Sequence, residues 1–109
     1  MVTGISTKAL SARESLEMAT RGGAAILGSD DIGHLAPGMS ADFIAVKLNQ
    51  LGMAGAQRDP LAALLLCGPF KVDYSFINGR EIIRKGEFCH FDVEAAMADH
   101  AAVIKRIYA

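Results

Sequence analysis

HLAPGMSADFIAV, residues His34 to Val46, sets a Pro-Gly turn and an Ala-Asp pair directly in front of an apolar strand. Pro37 fixes φ at the second turn position and Gly38 accepts the positive φ at the third, so the chain reverses here. From Asp42 to Leu48, Phe43, Ala45 and Lys47 alternate with Ile44, Val46 and Leu48. Both faces of that strand carry apolar side chains, which predicts a central strand covered on two sides. Asp42 reads as a carboxylate at the start of the strand that bonds nearby backbone N–H groups, with a catalytic role as the alternative.

On the N-terminal side, Ser11 and Glu14 have the S-x-x-E spacing of a capping box, so a helix is expected from Ser11 to a stop at Gly28. Leu16, Ala19, Gly23, Ile26 and Leu27 fall on one side of it, with Arg13, Glu14, Glu17 and Arg21 largely on the other. Gly22 and Gly23 each cost about 1 kcal/mol relative to Ala inside a helix. They predict either close approach of another backbone or a break.

On the C-terminal side, residues 49–58 read as a loop. Asp59-Pro60 then places an N-cap before Pro at the first helical position, opening a short apolar helix over Leu61 to Cys67 that Gly68-Pro69 ends. A helix apolar all round is expected to be buried on most sides. Val72 to Ile77 and Glu81 to Arg84 read as strands joined by Asn78-Gly79, the pair best suited to a type I′ hairpin turn. Asp92 caps a last helix in which Val93, Ala96, Met97, His100, Ile104, Ile107 and Tyr108 recur at helical spacing, a face expected to pack on something.

The 109 residues suffice for one domain or a piece of a larger one, and 51% apolar with 21% charged residues is a globular composition. A formal net charge of −1 without Lys/Arg clusters leaves no electrostatic footprint for nucleic acid or an anionic membrane. Apolar runs such as Leu61 to Cys67 are too short to span a bilayer, and no signal pattern opens the chain, so a cytoplasmic protein is expected. Cys67 and Cys89 lack CxxC spacing and read as reduced, buried thiols.

About three strands and two or three helices make a small α+β domain. The strand at Phe43 and the helix at Leu61 nevertheless ask for more cover than these elements supply. The sheet is therefore expected to be completed by a second copy of the chain or by an N-terminal region of a longer protein.

Four segments in order, ATRGGAAILG, DDIGHLAPGMSADFIAV, DPLAALLLCGP and VDYSFINGREIIRKGEF, resemble the C-terminal part of the metal-dependent amidohydrolase superfamily. The similarity is to the aminohydrolase branch that includes guanine, 8-oxoguanine and cytosine-type deaminases and the chlorohydrolases of triazine breakdown. The insert LNQLGMAGAQRDPLAALLLCGP looks most like 8-oxoguanine and hydroxytriazine deaminases. The resemblance implies an α+β fold: a small β-sheet, half of the family's composite β-sandwich, with flanking helices, forming a C-terminal fragment of a (β/α)8-barrel enzyme. It divides the chain into a last helical element of the barrel (1–29), a β-sandwich segment with one short buried helix (30–91) and a C-terminal amphipathic helix (92–109).

In such enzymes one divalent metal, usually zinc, is held by an H-x-H pair, later histidines and an aspartate at the end of the eighth strand. The metal makes a bound water nucleophilic near neutral pH, and hydroxide attacks an electron-poor ring carbon so that ammonia leaves. No position here matches those ligands. Residues 1–10, MVTGISTKAL, hold no carboxylate where the eighth-strand aspartate would stand, so the chain is expected to begin after the catalytic machinery ends. Met1 suits a true start and a truncated gene equally.

His34 reads as a surface side chain beside a turn, His90 as a packing or hydrogen-bonding residue between Phe88 and Phe91, and His100 as an interface residue. No two have the i, i+2 or i, i+4 spacing of a metal pair. Ser6, Ser11, Ser29 and Ser40 lack the G-x-S-x-G elbow, Gly22-Gly23 is not a phosphate loop, and Cys89 and His90, as neighbours on a strand, are expected on opposite faces. The predicted site is thus empty: no catalytic, cofactor-binding or metal residue. Two readings stand. One is a structural C-terminal fragment of a deaminase, inactive alone and partnered by the missing barrel; the other is a free-standing association module that homodimerises to complete its sheet.

Overall fold

The computed structural model describes residues 9–109. The readings of Ser6 and of residues 1–8 lie outside the described residues. The element order is α1 (Ala12–Glu17), a π-helical stretch (Met18–Gly22), α2 (Gly23–Leu27), β1 (Phe43–Val46), a 3-10 turn (Leu51–Met53), α3 (Pro60–Leu66), β2 (Val72–Ile77), β3 (Arg80–Arg84), β4 (Glu87–Phe88) and α4 (Val93–Ile107).

The capping box at the start of α1 forms in both directions: Ser11 Oγ accepts from the Glu14 N–H at 3.1 Å, and the Glu14 carboxylate accepts from the Ser11 N–H at 2.8 Å. Those bonds hold the Glu14 carboxyl below its ordinary range. Gly28 ends α2 in the left-handed conformation, as expected of a C-terminal glycine. Between them the predicted single helix widens into the π stretch. Neither reading of Gly22-Gly23 is realised: both keep helical φ and ψ in a run unbroken from Ala12 to Leu27, and a Cβ on Gly23 would meet nothing within 4 Å. The close backbone approach falls instead at Gly33, where a Cβ would lie 3.0 Å from Ala24 Cβ and 3.1 Å from the Thr20 carbonyl oxygen.

The sheet is antiparallel throughout, with strand order β1-β2-β3-β4. Asn78 and Gly79 both have positive φ, which fits the predicted type I′ turn. A second pair of positive-φ residues, Lys85 and Gly86, turns β3 into β4, a short strand not expected from the sequence. Phe43 pairs with Phe76 across β1 and β2, their rings stacked at 4.8 Å between centroids. The expectation of a central β1 is corrected: it is an edge strand. The hairpin turn commits one side of β2 to β3 and leaves β1 the other, and no described strand pairs with the outer edge of β1.

Residues 49–58 are more ordered than a plain loop. Gln50 donates from Nε2 to the carbonyls of Lys47 (2.8 Å) and Lys71 (3.1 Å) and accepts from the Lys71 N–H (3.1 Å), which stitches the exit of β1 to the approach of β2. Met53, 1% exposed, anchors the 3-10 turn beneath it.

Among the described residues only Ala24, Met53 and Ala63 are buried apolar side chains. Two other expectations are corrected accordingly. Leu65 and Leu66 of α3 are exposed although the helix reads as buried all round; the helix packs on α1 through one side only. Cys89 is exposed and Cys67 half-buried, both free, rather than buried. The apolar face of α4 packs on none of the other described elements to any substantial extent, and Met97 and Ile107 are 66% and 65% exposed. The radius of gyration, 18.6 Å, exceeds the roughly 13 Å of a compact chain of this length. No described helix is long and apolar enough to cross a membrane.

Candidate functional site

A broad concavity of about 680 Å³ lies between the α1–π helix, the 32–35 segment, β1 and α3. Its walls are mainly Leu16, Ile32, Leu35, Ile44, Leu61 and Leu64, with Arg13, Glu17, Arg21, His34 and Asp42 adding polar groups. Gly33 lets the 32–35 segment lie against Thr20, Arg21 and Ala24 of the helix that supplies Leu16. That segment is held in turn by Asp31. Its carboxylate accepts from Ser29 Oγ at 2.8 Å and Ser40 Oγ at 2.9 Å, while its carbonyl accepts the Ser40 N–H at 2.7 Å. The two hydroxyls pull the Asp31 carboxyl below its ordinary range. Walls made mainly of apolar side chains suit a packing surface better than a reaction site.

Asp42, directly before β1, also serves the β2–β3 hairpin turn. Its Oδ1 accepts the Asn78 N–H at 2.6 Å, beside an Ala41 carbonyl that accepts the Gly79 N–H at 3.0 Å. The predicted backbone-bonding role is thus realised, on the hairpin turn rather than on its own neighbours in sequence.

A second cleft, about 480 Å³, is bordered by Arg80, Glu81, Arg84, Cys89 and His90. Arg84 and Glu81 form a two-contact ion pair, Nε to Oε1 at 2.9 Å plus Nη2 to Oε2. The hydrogen bond from Arg84 holds the Glu81 carboxyl below its ordinary range and raises the guanidinium further. Cys89 and His90 border this same cleft instead of opposite faces, because β4 ends at Phe88 and alternation stops there. No hydrogen bond joins their side chains among the described contacts. Neither the ion pair nor the Gln50 bridge was read from the sequence; a lone Gln in a loop and a Glu-Arg pair at i, i+3 on a strand carry no distinguishing pattern.

His34 is exposed on the wall of the groove, His90 exposed at the cleft and His100 exposed on α4. Each occupies a different element and none meets another. Among the described residues no three His, Cys, Asp or Glu side chains converge so as to hold a metal ion. The side chains present do not fit a zinc centre.

The sequence model of the amidohydrolase family matches residues 2–82, and the chain belongs to that family. Among individual proteins it is 40% identical over 95 residues to an 8-oxoguanine deaminase of Pseudomonas aeruginosa, covering 87% of this chain and 21% of that protein. It is 43% identical over 97 residues to the hydroxydechloroatrazine ethylaminohydrolase of Pseudomonas sp. strain ADP, covering 85% and 20%. Among solved structures it superposes on a zinc-bound adenosine deaminase from Xanthomonas campestris with a TM-score of 0.82 at 30% identity, covering 92% of this chain and 23% of that one. The atrazine chlorohydrolase of Arthrobacter aurescens TC1, solved with zinc, gives a TM-score of 0.80 at 34% identity, covering 87% and 21%. The chain spans about a fifth of the length of these relatives.

Proposed function

We propose that this chain acts as the C-terminal structural segment of an amidohydrolase-type deaminase that works on a C–N bond of a purine- or triazine-like ring. It has no turnover of its own in this reading, and the barrel that it does not contain is its partner. The ring classes come from what its relatives are named for. The single observation that carries the reading is β1: Phe43 and Ile44, on opposite faces, are 38% and 51% exposed, and its outer edge meets no described strand. A strand apolar on both faces is stable only between layers, so it reads as one half of an interface. Zinc belongs, in this reading, to the missing barrel, and no catalytic step is assigned to residues of this chain. A cytoplasmic location goes with it, supported by two free cysteines.

The test is complementation. The P. aeruginosa 8-oxoguanine deaminase, cut before the region that this chain matches, is co-expressed with the chain, and 8-oxoguanine deamination and co-purification are measured. Restored activity with one chain bound per barrel supports the proposal. Failure to bind a folded, zinc-loaded barrel overturns it. The second reading, a homodimer that completes its own sheet, draws on the same open edge of β1. It predicts a dimer whose mass is sensitive to Ile44→Lys.

A further inference from the structure

We draw no further inference here: the strongest candidate, the exposed apolar face that Val93, Met97, Ile104 and Ile107 form on α4, carries none because nothing in the structure shows what covers it.

Discussion

Asp42 and Asn78, 36 residues apart, are joined by a 2.6 Å hydrogen bond from the Asn78 backbone N–H to the Asp42 carboxylate. With the Ala41 carbonyl on the Gly79 N–H, the Ala-Asp pair before β1 grips the tip of the β2–β3 hairpin. Two motifs that read as separate local signals are therefore halves of one clamp, and it fixes where β1 lies against β2.

Asp42→Ala should remove the charged acceptor and leave the Asn78 N–H to water, at a cost of about 1–2 kcal/mol, the lower part of the range for bonds to charged groups because the site is exposed. Asp42→Asn should keep part of it. Hydrogen exchange at Asn78 and Gly79, compared with amides in the middle of β2 and β3, checks this: a local acceleration at the turn is expected, and uniform exchange rates across the hairpin in both variants would refute the clamp.

Gly33→Ala should destabilise the chain by roughly 1–3 kcal/mol. Gly33 has φ of +96°, and the added Cβ would meet the Thr20 carbonyl and Arg21 Cα, backbone atoms that cannot rotate away. Urea unfolding measures the loss. Gly23→Ala, with open space around it, should be neutral or stabilising in the same assay.

The Asp31 latch should titrate. Its carboxyl is held below the ordinary value of 3.8 by the hydroxyls of Ser29 and Ser40, so the folded form favours the ionised state. The stabilisation is therefore complete above that ordinary value and is lost as the pH falls through the lowered folded value. Amide exchange at Ser40, corrected for its intrinsic pH dependence, should rise on acidification through that window and stay flat there in Asp31→Asn.

Ile44→Lys should change the stability of the isolated chain by no more than about 0.5 kcal/mol, because the side chain already faces solvent. The same substitution should abolish binding to a truncated deaminase barrel. Equal binding by the variant and the parent chain in the complementation assay would show that the barrel does not cover this face.

Local structure was legible wherever one or two residues dictate backbone geometry. Ser11 with Glu14 started a helix, Gly28 stopped it, Asp59-Pro60 and Asp92 capped two more, and Asn78-Gly79 turned a hairpin; each works through bonds or φ values within four residues. The Lys85-Gly86 turn escaped because lysine at positive φ is unfavourable alone and is tolerated here within the paired strands. Burial was misread more often. Leu65, Leu66, Ile26 at 89% exposure and the α4 stripe have the composition of interior residues and lie open.

The sequence by itself determined most of the elements and the apolar faces in need of cover, because propensity, capping and periodicity act over a few residues, and its four motifs in order carried the likeness to the family. Only the tertiary structure decided that β1 is an edge, that Asp42 serves the turn at Asn78, that Gly33 rather than Gly23 takes the close approach, and that Cys89 and His90 share a cleft. Those depend on which distant segment arrives at each surface. Side-chain pattern states that a face must be covered, and only the path of the chain states by what.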